Sequence, residues 1–280
     1  MASPEERPPR GPRPKKRFGQ HFLTDKNIIR KIVRAAGIEK GDLVLEIGPG
    51  TGALTEGLME AGANVLAIEV DRELIEELKG KFTEGFEVIA ADALKLSYVD
   101  LSRQRNARFK LVANLPYYIS GPILAKLLEE REAFSIMVLM FQKEVADRIA
   151  AGPGGRDYGI LSVLSQVYTD VKKELDVPSR LFFPKPKVDS AVLSFRVLES
   201  PRAPLDDERF FKSVLRSAFG TRRKQLVNSL SSLGIEKGAA HEALTEAGID
   251  PARRAETLNI NEFASLAHAL YLRKKQEKMP

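Results

Sequence analysis

Apolar positions follow two rhythms in the first half of the chain: short unbroken runs, and stretches where they recur every third or fourth place. Leu43-Val44-Leu45-Glu46-Ile47, four apolar residues around one glutamate, has the length of a buried strand, and Leu54, Leu58 and Met59 follow at helical spacing. Between them lies Gly48-Pro49-Gly50-Thr51-Gly52, a turn whose backbone can approach a ligand without side-chain hindrance. The same alternation repeats downstream. Asn64 to Val70 reads as a second strand ending at Glu69, followed by a helix through Leu74, Ile75 and Leu78; Phe86 to Ala91 is a third strand, ending at Asp92. Phe109 to Ala113 is a fourth, running into Asn114-Leu115-Pro116-Tyr117-Tyr118, and Ser120-Gly121-Pro122 opens another helix. Ser135 to Phe141 is a fifth strand. Ahead of them all, Thr24 and Asp25 cap a helix with Ile28, Ile29, Ile32 and Val33 on one face and Gly37 as its stop. Strands alternating with helices predict an α/β domain with a parallel sheet wound on both faces.

The rhythm then changes. After the flexible Gly152-Pro153-Gly154-Gly155-Arg156 comes a helix from Ile160 to Tyr168, then two strands, Val171 to Val177 and Ser190 to Leu198. A short proline-rich connection, Phe182-Phe183-Pro184-Lys185-Pro186-Lys187, joins them, so they are expected to be antiparallel neighbours, making seven strands in all. Pro201 and Pro204 mark a linker, and from Asp206 the pattern is helical only. The predicted organisation is a mobile basic tail at 1–17, an α/β domain at 18–200 and a small C-terminal all-helical domain at 201–280.

Charge refines this picture. The chain carries a formal +6, but residues 1–17 and 201–280 each net +4 and the middle nets −2. Basic ends around a near-neutral centre suit an anionic macromolecule held at the periphery; Lys185, Lys187 and the Arg222-Arg223-Lys224 cluster are the phosphate-contact candidates. Cysteine is absent, which excludes disulfides, thiolate metal sites and a cysteine nucleophile, and three scattered histidines make no zinc set. No metal is expected. No apolar run approaches the roughly 18 residues of a membrane span, and no secretory signal is evident, so a cytoplasmic protein without a membrane partner is expected.

The ends of the first four strands carry the candidate chemistry. Glu46 with Gly48, then Glu69, Asp92 and Asn114 form one convergent rim where open α/β sheets hold ligands. An acid after the second strand can accept both hydroxyls of a ribose, and one after the third the amine of an adenine. The glycine turn also fits a dinucleotide pattern, and both NAD and S-adenosylmethionine carry an adenosine ribose, so the rim alone leaves the two open. Asn114-Leu115-Pro116-Tyr117 is more specific. Adenine N6 is a poor nucleophile because its lone pair is delocalised into the ring; acceptors such as the Asn114 amide and the backbone near Leu115 can take its N–H bonds and aim the lone pair. Pro116 fixes the turn and Tyr117 can stack on an extruded base, with Phe182 as a second stacking face unless it is a core residue beside Leu181.

These residues resemble the rRNA adenine dimethyltransferases that modify two adjacent adenosines near the 3′ end of small-subunit (16S) rRNA. The resemblance runs from Phe18 to about Phe219 and rests on Gly-Gln-His-Phe-Leu (19 to 23), Glu-Ile-Gly-Pro-Gly (46 to 50), Glu69, Asp92, Asn-Leu-Pro-Tyr (114 to 117) and Phe-x-Pro-x-Pro-Lys-Val-x-Ser (182 to 190). It implies a Rossmann-like class I methyltransferase domain binding S-adenosylmethionine through His21, Leu23, Gly48, Glu69, Asp92 and Asn114, with catalytic contacts to the target base from Asn114, Leu115, Pro116, Tyr117 and Phe182. The family often has Asn where His21 stands. The implied partner is small-subunit rRNA within a pre-assembled small ribosomal subunit, met by a monomer with a role in subunit biogenesis. Two neighbouring readings share the motifs: the large-subunit rRNA adenine methylases of macrolide resistance, which favour isoleucine where Leu115 stands, and a mainly non-catalytic ribosome-assembly factor.

Overall fold

A computed structural model of the chain describes residues 14–15, 19–221 and 224–276. Phe18, Arg222, Arg223 and most of the basic tail lie outside the described residues. The chain forms two compact units: one comprises the chain up to Ala146 together with Lys172–Val197, the other Asp147–Val171 and Leu198 onward.

The first unit begins with a two-residue strand β1 (Phe22–Leu23) and continues α1 (Lys26–Ala35), β2 (Leu43–Ile47), α2 (Ala53–Glu60), β3 (Asn64–Glu69), α3 (Arg72–Lys81), β4 (Phe86–Ala90), α4 (Tyr98–Arg105), β5 (Phe109–Asn114), α5 (Ser120–Glu129) and β6 (Phe134–Gln142). After α6 (Lys143–Ala150) and α7 (Ile160–Tyr168) come β7 (Thr169–Val177), β8 (Phe182–Phe183) and β9 (Ser190–Val197). Seven strands form one sheet in the order β4-β3-β2-β5-β6-β9-β7. The pairs β4/β3, β3/β2, β2/β5 and β5/β6 are parallel, and β6/β9 is antiparallel. As expected, β7 and β9 are neighbours.

Register explains why the candidate residues share an edge. Ile47 lies opposite both Ile68 and Ala113, and Glu69 opposite Ala90, so the strands end level and Gly48, Glu69, Asp92 and Asn114 follow on one rim. The chain steps outward from β2 in one direction through β3 and β4 and in the other through β5, which leaves a crevice at that reversal. Val44, Val65, Val112, Val138 and Val192 pack in one cluster with Ile29, Ile32, Leu54 and Leu58 of α1 and α2. Asp25 caps α1, its carboxylate accepting from the Ile28 N–H at 2.9 Å, and Gly37 past its end takes φ +57°.

Two helices and a second sheet were not foreseen. α4 buries only Tyr98 and Leu101, so it carries little periodicity. β1 and β8 pair antiparallel as a separate sheet, Phe22 opposite Phe183 and Leu23 opposite Phe182. At the tail, Lys15 is already held, its Nζ 2.8 Å from Asp71 Oδ1 and 2.9 Å from Glu73 Oε1.

The second unit adds α8 (Glu208–Gly220), α9 (Leu226–Ser229), α10 (Lys237–Glu246) and α11 (Ile260–Gln276) to the chain from Asp147 to Val171. Its core explains why it starts before the expected linker: Tyr158, Val163, Val167 and Tyr168 are buried in one cluster with Phe211, Leu215, Phe219, Leu244 and Phe263. Apolar side chains of α7 are spent on this core, so the helical unit takes residues 147–171 as well as the chain beyond 201.

Candidate active site

The turn after β2 is shaped by its glycines. Gly48 and Gly50 have φ of +69° and +58°, a region side chains avoid. At Gly50 a Cβ would stand 2.9 Å from the Phe22 ring, whereas beside Gly48 nothing lies within 4 Å of that position. The space at Gly48 belongs to a cavity of about 320 Å³, walled by Gly19 to Leu23, the glycine turn, Glu69, Asp92 and Asn114 to Ile119. That volume is in the range of small-molecule sites. His21, Leu23, Gly48, Glu69, Asp92, Asn114, Leu115, Pro116 and Tyr117, drawn from five separate stretches of sequence, all line it.

Each acid has a local anchor. Glu69 Oε1 accepts from the N–H groups of Val70 (2.8 Å) and Asp71 (2.9 Å). Burial pushes the Glu69 carboxyl above its usual range, and the N–H groups of Asp71, Val70 and Gly50 oppose that shift. Asp92 Oδ1 accepts from the Leu94 N–H at 2.9 Å. Glu46, also in the wall, is almost wholly buried; burial raises its pKa to about 8, against the Thr55 hydroxyl that donates to its Oε2 at 2.7 Å.

On the opposite wall Asn114 Nδ2 donates to the His21 carbonyl at 3.0 Å. A backbone carbonyl can only accept, so the amide is oriented and Oδ1 is its acceptor atom. By the same reasoning His21 carries its proton on Nδ1, which lies 2.6 Å from the Pro184 carbonyl. The His21 ring stacks on Tyr117, centroids 5.6 Å apart and planes at 26°, and the Tyr117 hydroxyl lies 2.8 Å from Ser190 Oγ. Burial raises the Tyr117 pKa, so its hydroxyl stays protonated. Leu115 is buried, which leaves its backbone as the part able to meet a ligand.

Phe182 is the exception. It is 4% exposed, pairs with Leu23, belongs to the cluster of Val177 and Val192, and is absent from the cavity wall. The structure gives it the packing role and does not bring it to Tyr117. Conversely, Tyr118, 61% exposed at the cavity wall, was not singled out by sequence reasoning; an exposed aromatic is not separable from a buried one by composition. Gln20 was also passed over. It receives the Lys15 N–H at 2.7 Å and donates to Asp71 at 3.3 Å, tying the wall to the start of α3.

The comparisons agree with this geometry. The family model for ribosomal RNA adenine dimethylase matches residues 12–271. A protein of Syntrophotalea carbinolica named ribosomal RNA small subunit methyltransferase A is 48% identical over 92% of this chain and 97% of its own length. One of the same name from Moorella thermoacetica is also 48% identical, over 92% of each chain. Among solved structures, a dimethyladenosine transferase from Plasmodium falciparum aligns with a TM-score of 0.77 and 30% identity, covering 91% of this chain and 98% of that one. The 23S rRNA methyltransferase ErmE aligns with a TM-score of 0.69 and 25% identity, covering 89% and 99%. Since the family match runs through every stretch that builds the cavity, the chain belongs to the ribosomal RNA adenine dimethylases, enzymes that draw their methyl groups from S-adenosylmethionine.

Proposed function

We propose that this protein methylates the N6 amines of two adjacent adenosines in the 3′-terminal hairpin of small-subunit rRNA, giving N6,N6-dimethyladenosine, as a cytoplasmic monomer acting on a pre-assembled small ribosomal subunit. The small-subunit assignment follows the relatives at 48% identity over the 23S enzyme at 25%. No helix among the described residues is long and apolar enough to cross a membrane.

One observation carries the choice of donor: the described cavity wall includes the acids Glu69 and Asp92 and no lysine or arginine. An acidic wall repels the diphosphate of a dinucleotide and suits a donor whose charged centres include a sulfonium and an ammonium. Glu69 would take the ribose hydroxyls, Asp92 the adenine amine, and the backbone at Gly48 allows close approach. When bound, the donor supplies an electrophilic methyl group.

The remaining chemistry is orientation. Asn114 Oδ1 and a carbonyl near Leu115 accept the two N–H bonds of the target amine, turning its lone pair out of conjugation and toward the methyl. Pro116, with φ −57°, starts the turn that presents them, and Tyr117, pinned by Ser190 and His21, offers a ring for the flipped base. A dimethylated amine has no N–H left to donate, so the doubly modified base loses these contacts and leaves. The test is incubation with labelled S-adenosylmethionine and undermodified small subunits. Label on two adjacent adenosines near the 3′ end is expected; label confined to large-subunit rRNA overturns the assignment.

A further inference from the structure

Charge totals hide a local feature. The span 18–200 nets −2, yet α1 holds Lys26, Arg30, Lys31 and Arg34, with no acid from Lys26 through Ile38. All four cations are exposed, while Ile28, Ile29 and Ile32 are buried on the other face. Several other surface cations of this unit sit on acids: Lys79 on Glu76 (3.4 Å), Arg103 on Glu132 (3.4 Å), Arg105 on Glu87 (2.6 Å); others, such as Lys40 and Lys95, stand singly and do not form a row. Among the described residues, none of the four on α1 has such a partner. Lys26 also occupies the first turn, where the helix dipole disfavours a cation. The dipole favours Arg34, in the last turn, but not the rest, so local stability does not explain the row as a whole.

Position supplies a reason. Lys26, Arg30 and Arg34 recur at every fourth residue, so they form one line with steps of about 6 Å along the axis. That spacing is comparable to successive phosphates of an extended strand. The line starts three residues after Leu23 of the cavity wall, and Ala53 borders both that cavity and the groove between α1 and α2. The groove carries the three cations on one side and Glu56 and Glu60 on the other, which would hold a phosphate backbone to the α1 side. None of the exposed large apolar residues, Val70, Tyr118, Val188 and Leu272, lies on α1, so the face lacks what a lipid surface or a protein hot spot needs.

We infer that the exposed face of α1 is a phosphate track for rRNA, gripping the strand that flanks the target adenosines; this rests on the rRNA-methyltransferase reading above. The track belongs to the same unit as the chemistry, so RNA is held there as well as at the basic ends.

The test replaces Lys26, Arg30 and Arg34 together by alanine in the full chain; alanine keeps the helix and the sites are exposed. Binding of undermodified small subunits is measured against salt, and donor affinity by calorimetry without RNA. Each lost contact flattens the salt slope by about 0.7 to 0.9, so the triple variant should lose about 2 to 3. Between roughly 50 and 200 mM salt, its affinity should then fall roughly 20- to 40-fold less than that of the unmodified chain. Donor affinity should not change. A comparison variant, Lys79→Ala with Arg103→Ala and Lys172→Ala, removes the same charge from ion-paired positions and should leave the slope nearly intact. An unaltered slope in the α1 variant, or equal flattening in the comparison variant, overturns the track. Failure of the unmodified chain to bind or methylate the subunits would instead overturn the reading beneath it.

Discussion

Glu46 gives a prediction whose sign and size follow from its surroundings. It is almost fully buried in β2, and burial, with a smaller push from Glu69, raises its pKa from 4.5 to about 8. In the unfolded chain the carboxyl loses its proton near 4.5; in the folded chain it holds it up to about 8. Between those values the folded state binds one proton more, so the contribution is fully present below the lower pKa and is lost as pH rises through the upper one. The slope is about 1.4 kcal/mol per pH unit, or on the order of 3 kcal/mol from pH 5.5 to 7.5. Glu46→Gln has no proton to lose and keeps a polar partner for the Thr55 hydroxyl. Its stability relative to the unmodified protein should therefore climb by that amount across the interval and reach near parity only below the unfolded pKa of 4.5. Urea unfolding followed by far-ultraviolet circular dichroism, without donor and at several pH values, reads the difference. Two parallel curves would mean that Glu46 is ionised in the folded protein and the burial argument is wrong.

Glu69→Gln and Asp92→Asn should each weaken S-adenosylmethionine binding by roughly 1.5 to 3 kcal/mol, the worth of a hydrogen bond to a charged group; calorimetry that finds both unchanged would remove these acids from the donor site. Asn114→Ala should cut turnover far more than RNA affinity, since the contact to the amine matures in the transition state. Donor affinity is measured alongside, and full turnover at saturating substrates would refute the role. Phe182→Ala should cost about 3 to 5 kcal/mol of stability, as expected for a buried aromatic; a variant that melts normally but has lost base capture would restore the stacking role to Phe182.

Sequence was informative where local rules decide the outcome. The runs ending at Ile47, Glu69 and Asn114 are bounded by turn residues and mostly apolar, and their strands appear where expected. α4 and α6 carry weak signals because charged and polar positions outnumber apolar ones in the first and equal them in the second. The second unit's start was misplaced because α7 resembles any apolar helix until its partners, Phe211 and Phe263, are known. Strands of two residues have no periodicity, so β1 and β8 are unreadable, and with them the pairing that buries Phe182, for which the sequence leaves stacking and core positions both open. The Lys15 clamp joins residues 56 apart through side chains alone, a distance over which no spacing rule operates.

The small sheet of β1 and β8 also sets an order in time. Residues 21 to 24 are held by Leu181 to Pro184: the Thr24 N–H and hydroxyl both donate to the Leu181 carbonyl at 3.1 Å, and His21 reaches Pro184. A growing polypeptide can pair β2 with β3 and β5, and β3 with β4, once Asn114 has emerged, since those contacts lie closer in sequence. The stretch that makes the facing wall must wait, although it was translated first, because its clasp lies some 160 residues downstream. Floor and wall of the cavity therefore mature at different moments of biosynthesis, and a nascent chain stopped short of Leu181 carries Glu69 and Asp92 without the clasp that fixes His21.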